Sequence, residues 1–221
     1  MIEKIFKPNL TTSLIINALR VFLENKKINS YLELGCGGGE ITYSCLEFLC
    51  DSKIIMTDIS QKSIDSTLTR FRAKNIDIDA RQSNLFSAIN PNEKFDLIVS
   101  DVASISDIFL SETDWYDGVS CDTGADGLKL ISLILEKSKK FLNERGAIIY
   151  PALNLSNTTK LKSLAEFNFS NTTVLGGKDW PFKFNNPSFE FKLDEFKNKG
   201  LIDFKKISGL HIFRTEVWMS F

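Results

Sequence analysis

The chain is poor in the residues that build metal centres and disulfide frameworks. Its 221 residues hold one histidine, His211, and four cysteines, Cys36, Cys45, Cys50 and Cys121. No two of the cysteines form a C-x-x-C pair, and with one histidine there is no ligand run for a structural zinc. The thiols read as small apolar residues of a reduced protein. Charge of one sign is also lacking: 27 Lys and Arg face 28 Asp and Glu, a formal net charge of −1. A nearly neutral chain has no global attraction for nucleic acid or an anionic membrane, so neither is an expected partner. No stretch approaches the roughly 20 apolar residues that span a bilayer. The N-terminal MIEKIFKPNLTT lacks the apolar run of a signal peptide. The expectation is a soluble, cytoplasmic protein. With 5 Pro and 12 Gly, the chain is neither collagen-like nor a low-complexity linker. What it has in excess is phenylalanine, 18 residues, in a composition 43% hydrophobic and 25% charged.

Apolar spacing alternates between two periods along the chain. Leu14, Ile15, Ala18, Leu19, Val21, Phe22 and Leu23 mark a helix over 10–23. Ser30 to Leu34 is a short apolar run that ends in glycines, a strand feeding a tight loop. Helices are expected over 42–48 and over 61–72, with a strand over 52–58 between them. Ile76, Ile78 and Ala80 alternate like a third strand, and Phe95 to Asp101 is apolar enough for the inside of a parallel sheet. A polar stretch of about 25 residues then runs to Gly127; loops of that length are commonly functional or mobile. A helix from Leu130 to Leu142, strands at 147–150, 172–175 and 211–221, and a helix over 157–167 complete the reading. Strands alternating with helices imply an α/β fold: a doubly wound, mostly parallel, seven-stranded Rossmann-like sheet closed by an antiparallel terminal strand. The expected organisation is one domain over 1–221, with an N-terminal helical extension at 1–28 and a Phe-rich insertion at 176–209.

The chemistry concentrates where a doubly wound sheet binds its ligand, at the carboxyl end of the first strand. There Glu33-Leu34-Gly35-Cys36-Gly37-Gly38-Gly39-Glu40 places four glycines in five positions. A plain strand-to-helix turn needs one; several let a ligand approach the main chain. The dinucleotide fingerprint G-x-G-x-x-G requires a small residue at its sixth position, and here that residue is Glu40, whose carboxylate would repel a pyrophosphate. Glu33, inside the strand, is costly to bury unless compensated. It either meets a cationic ligand group, such as the amino group of a methionine moiety, or is paired internally or through water. Asp58 closes the second strand and can accept from both ribose hydroxyls, though an acid there could also belong to a helix cap with Ser60.

These residues resemble the class I S-adenosylmethionine-dependent methyltransferases: Glu33-Leu34-Gly35-Cys36-Gly37-Gly38-Gly39, then Asp58, stand at the family's spacing. Ser83-Asn84-Leu85-Phe86 resembles the segment that meets the adenine amino group. Phe95-Asp96-Leu97-Ile98-Val99-Ser100 is similar to the strand before the N-P-P-Y signature of HemK-like and other small-domain methyltransferases. Gly124-Ala125-Asp126-Gly127-Leu128 and Phe6-Lys7-Pro8-Asn9-Leu10-Thr11-Thr12 resemble two further HemK-like segments. The resemblance implies S-adenosylmethionine as cofactor, with Glu33 at its methionine end, Gly35 and Gly37 at the backbone, Asp58 on the ribose, Asn84 on the adenine and Thr12 closing the pocket. It implies methyl transfer to a small molecule or a protein, at oxygen or nitrogen.

One departure stands out. In place of N-P-P-Y the chain has Asp101-Val102-Ala103-Ser104. Asp101 can still accept a hydrogen bond from a planar amino group, but the Pro pair and the stacking Tyr are gone. A glutamine amide or an adenine amine is therefore a less expected acceptor. A carboxylate at position 101 suits a general base or a counter-charge for a cationic acceptor, unless it only caps a helix. Acids and aromatics follow it: Asp107, Glu112, Asp114, Trp115, Tyr116, Asp117 and Asp122. Trp180, Phe182, Phe184, Phe189, Phe191 and Phe196 are expected to pack an insertion on the sheet edge rather than stack on bases, and His211 reads as structural. Two rivals stay open: a cofactor-binding module without catalysis, and a nicotinamide-dependent oxidoreductase.

Overall fold

The computed structural model describes residues 4–110, 112, 116, 119, 121–182 and 187–221. Asp114, Trp115, Asp117 and Phe184, singled out above, lie outside the described residues. The elements run α1 (Leu10–Glu24), β1 (Ser30–Leu34), α2 (Glu40–Ser44), α3 (Leu46–Leu49), β2 (Lys53–Asp58), α4 (Gln61–Arg72), β3 (Asp79–Gln82) and β4 (Phe95–Ser100). They continue with α5 (Lys129–Ser138), β5 (Leu142–Leu153), α6 (Thr158–Asn168), β6 (Thr172–Pro181), α7 (Pro187–Glu190), α8 (Leu193–Asn198), β7 (Lys205–Ile207) and β8 (Leu210–Ser220).

The sheet has the order β3-β2-β1-β4-β5-β8-β6, with β7 pairing β8 off that path. β1 to β5 are mutually parallel, and β8 runs antiparallel between β5 and β6. This is the expected mixed α/β sheet with one more strand than the sequence reading. The eighth strand, β7, is three residues long and forms a hairpin with β8 across Ser208 and Gly209, both at positive φ. It was missed because Lys205-Lys206-Ile207 has no alternating apolar face to betray it.

Alternation in β1, β4 and β5 divides the core. Tyr31, Leu97, Val99 and Ile149 pack on one face beneath α1, with Ile15 and Leu19. Leu32, Leu34, Ile98 and Ile148 pack on the other beneath α5 and α6, with Ile131, Ile134, Leu135 and Leu161. Both faces are covered, so these strands read as continuous apolar runs. Boundaries differ where side chains gave no warning. The 42–48 helix is two short helices broken at Cys45. The third strand begins at Asp79, not Ile76, because Ile76 and Ile78 turn instead into a small cluster with Met56, Ile64 and Phe71. Phe141 and Leu142 lie beyond α5: Leu142 already pairs with Phe95 in the sheet, ahead of a bulge. β6 continues to Pro181, so the first residues of the Phe-rich segment belong to the sheet.

Candidate functional site

Because β1 pairs with β2 on one side and β4 on the other, the connections leaving these strands diverge at their carboxyl ends and leave a crevice there. The sequence-predicted residues meet at that crevice. Gly35 follows β1 at φ +72, and its N–H and that of Cys36 both donate to the Thr57 carbonyl, at 2.8 and 2.9 Å. A Cβ at Gly35 would lie 2.8 Å from Cγ1 of Val102, so glycine here keeps the loop against the residue that follows Asp101. Gly37, at φ +54, donates its N–H to Oδ2 of Asp58 at 2.8 Å, while Thr67 Oγ1 donates to the Gly37 carbonyl at 2.9 Å. Asp58 Oδ1 accepts from the Ser60 N–H at 2.9 Å. The helix cap is Ser60, whose hydroxyl accepts from the Ser63 N–H at the start of α4. Asp58 thus ties the glycine loop to the β2–α4 turn and is not the cap itself.

Glu33 is buried in β1, and its Oε2 accepts from both the N–H and the hydroxyl of Thr42. It is therefore paired internally, with a neutral partner. Burial pushes its carboxyl up to about 8, helped by the negative charges of Asp101 and Asp58 and opposed by the Thr42 bonds. Asp101 follows β4, and its Oδ2 accepts from Thr12 Oγ1 at 2.6 Å. Thr12 is held in place by the N-terminus of α1, where Asn9 accepts from the N–H groups of Thr11 and Thr12 in a capping box. Burial also pushes Asp101 up, to about 7, with the Thr12 hydroxyl pulling the other way. Glu40 does not face the crevice as a free charge: it pairs with Arg70 of α4 at 2.6 Å.

A cavity of about 440 Å3 opens beside these groups, lined by Gly35, Gly37, Asp58, Asn84 and Asp101 among others. A recess of about 20 Å3, sharing Phe6, Gly35, Gly37 and Asp101 with its lining, reaches Thr12 and Glu33. All seven predicted site residues are therefore brought to one place. Asn84 lies at one end of the cavity with Ser83 and Leu85, whose backbone is left-handed at φ +53. Phe6 and Tyr116 also line the cavity, with ring centroids 5.5 Å apart and planes at 26°. Sequence reasoning missed this pairing and the Thr12–Asp101 bond because each joins residues far apart in the chain, and it missed Thr42 because only the turn from β1 into α2 brings it back to Glu33. A second cavity, about 480 Å3, lies at the opposite ends of β2 and β3 against Ile54, Ile76 and Asp79, away from all these groups.

The Phe-rich segment does not pack on the sheet edge alone. Trp180, Phe182, Phe189, Phe196, Phe204 and Phe213 enclose Ile105 and Phe109, which belong to the chain just after Asp101. That chain is pinned further by Ser106, whose N–H donates to the Leu155 carbonyl at 2.7 Å. His211 is buried there, its Nδ1 3.1 Å from Glu190 Oε1 and its ring against Phe204, far from the cavity's lining. Among the described residues no cluster of His, Cys, Asp and Glu could hold a metal ion, and no helix is long and apolar enough to cross a membrane.

Comparison with known proteins bears on the fold and on a part of the chain. Residues 9–101 match the family described as "Methyltransferase small domain". A bifunctional methyltransferase of Rickettsia bellii is 35% identical over 134 residues, covering 57% of this chain and 24% of that protein. A release factor glutamine methyltransferase of Fusobacterium nucleatum is 23% identical over 188 residues, covering 81% of this chain and 53% of that protein. The chain thus spans about a quarter of the first relative and about half of the second. Among solved structures, the Thermus thermophilus 16S rRNA N2 G1207 methyltransferase, in complex with AdoMet and guanosine, superposes with a TM-score of 0.58 at 15% identity, over 95% of this chain and 43% of that one. The fold is that of the class I methyltransferases, and the sequence relatives include proteins described as release factor glutamine methyltransferases.

Proposed function

We propose that this chain, with a methyltransferase small-domain segment set in a class I methyltransferase fold, transfers a methyl group from S-adenosylmethionine to an oxygen or nitrogen of a small-molecule or protein acceptor. One observation carries the reading: three carboxylates, Glu33, Asp58 and Asp101, lie around a glycine loop at the switch point of the sheet, Glu33 and Asp101 bonded to threonine hydroxyls and Asp58 to two backbone N–H groups among its partners. A site built this way favours a ligand with positive charge. Bound there, the cofactor supplies an electrophilic methyl on a sulfonium, together with an ammonium at its amino-acid end.

In this reading Glu33, held by Thr42 and lining the small recess beside the cavity, lies towards the ammonium. Gly35 and Gly37, lacking a Cβ, let the ligand approach the main chain. Asp58, positioned by the Gly37 and Ser60 N–H groups, lies towards the ribose hydroxyls. Asn84 meets the adenine, and Thr12 closes the cavity through α1. Asp101, on the acceptor side, takes or balances a proton. The chain's work is to align the acceptor with the methyl and to exclude water.

The near-neutral charge is no argument against a nucleic-acid acceptor. A protein of this same fold is described as an rRNA methyltransferase, so that expectation is withdrawn. The relatives described as release factor glutamine methyltransferases support keeping a protein acceptor beside it. A nicotinamide enzyme is disfavoured, since the Glu40–Arg70 pair occupies the helix start where a pyrophosphate would lie. The test of turnover is a cell extract incubated with the protein and methyl-labelled cofactor. Protein-dependent labelling supports the transferase; cofactor binding without labelling of any fraction favours a binding module without catalysis.

A further inference from the structure

We propose that the acceptor is an amine that enters as a cation, held by the Asp101 carboxylate against an aromatic wall made by Phe6 and Tyr116. The inference rests on the methyl-transfer reading above and names the substrate class for that site.

Three observations support it. Asp101 sits in the cavity with one neutral partner, the Thr12 hydroxyl at 2.6 Å, and among the described residues no cationic side chain pairs with it. The other acids of the cavity are engaged: Asp58 by two backbone N–H groups, Asp122 by Lys129. A buried carboxylate without a counter-charge is costly, and an incoming ammonium removes that cost. The second observation is the wall. Tyr116 stacks on Phe6, and its hydroxyl hydrogen-bonds the main chain at Ser104 close to Asp101. Ser104 stands where the N-P-P-Y signature has its tyrosine, so an aromatic ring from twelve residues further along the chain returns to that spot. Aromatic faces attract cations, and a neighbouring carboxylate adds to the pull.

The third observation is what the site lacks for other acceptors. A neutral amide would bring no charge to Asp101, and the rigid Pro pair of the signature is replaced by Val102-Ala103. Burial lifts Asp101 to about 7. An alkylammonium near 10.4 is within about three pKa units of such a base, whereas an alcohol, near water's 15.7, is about nine away. The chemical balance is simple. The ammonium gives a proton to Asp101, the nitrogen lone pair forms a bond to the methyl carbon, and the carbon–sulfur bond breaks with its pair left on sulfur. The products are a methylated ammonium and a neutral thioether, and Asp101 returns its proton to water.

The test is calorimetry on the full chain saturated with S-adenosylhomocysteine, at pH 7.5. Benzylamine, benzyl alcohol and benzamide are titrated in turn as probes of one shape and different charge. Benzylammonium should bind at least ten-fold more tightly than the two neutral probes. Asp101→Asn should weaken it ten-fold or more, and Tyr116→Ala several-fold, each measured at a concentration of S-adenosylhomocysteine that saturates that variant. Equal or tighter binding of benzamide, no loss in Asp101→Asn, or no binding of any probe would overturn the proposal. So would an Asp101→Asn variant that loses affinity only for S-adenosylmethionine, which would assign the carboxylate to the sulfonium. Failure of S-adenosylhomocysteine itself to bind would instead remove the cofactor reading, and this inference with it.

Discussion

Replacing Asp58 with alanine removes more than a ribose contact. Its two oxygens accept from Gly37 N–H at 2.8 Å and Ser60 N–H at 2.9 Å. Both bonds are part-buried and charge-assisted, and both hold the loop that would receive the cofactor. Two ribose hydroxyls on the same carboxylate would add two more bonds of this kind. Hydrogen bonds to a charged group contribute about 1.5–3 kcal/mol each. Water partly replaces them in an open cavity, so the combined loss should be about 2–4 kcal/mol. That is roughly 30- to 1,000-fold in the dissociation constant for S-adenosylhomocysteine. Asp58→Asn keeps one oxygen acceptor and should fall in the lower half of that range. The assay is calorimetric titration, with circular dichroism showing that each variant is folded. A folded Asp58→Ala protein that binds S-adenosylhomocysteine as the unaltered chain does would refute the ribose role and the argument from loop pre-organisation together.

Gly35→Ala places a Cβ 2.8 Å from Val102 on a backbone at φ +72. The left-handed conformation alone costs about 1–2 kcal/mol, and Val102 is stiff at χ1. A fall in Tm of about 4–8 °C is expected by calorimetry, on a scale of ~2–4 °C per kcal/mol for a chain of this size; an unchanged Tm would show that the loop relaxes freely. Stability of the ligand-free protein should also depend on pH. Glu33 and Asp101, lifted to about 8 and about 7, stay protonated when folded where the unfolded chain has already ionised. Their contribution is complete below pH ~4 and is lost as pH rises through 7 to 8. Tm should therefore decline from pH 6 to pH 8.5, and less steeply in Asp101→Asn. A Tm that rises over that range would contradict the burial argument.

Most of the sheet, the glycine loop and the acid closing β2 were legible in the sequence because they rest on local signals. Glycines after β1, an acid closing β2 and apolar runs in β4 and β5 are read within a few residues of each other. What escaped depends on chain segments that meet only in the fold. Thr12 reaches Asp101 across 89 residues, and Glu33 finds Thr42 only once α2 turns back over β1. Tyr116 meets Phe6 the same way. The aromatic residues near the C-terminus were recognised as a packing unit. Their partner, the chain after Asp101, could not be seen, because Ile105 and Phe109 carry no periodicity of their own. β7 is the converse case: its exposed strand is defined by its pairing with β8, not by any buried face.

The central claim is that the carboxylate-lined cavity at the ends of β1, β2 and β4 binds the adenosyl cofactor of a methyltransferase. Titration calorimetry of the purified chain with S-adenosylhomocysteine, beside an identical titration with NAD, tests it most directly. The account predicts saturable, one-to-one binding of S-adenosylhomocysteine, lost or strongly weakened in Asp58→Ala, and no measurable heat from NAD. Binding of NAD in preference to S-adenosylhomocysteine, or of neither by a folded protein, would contradict it.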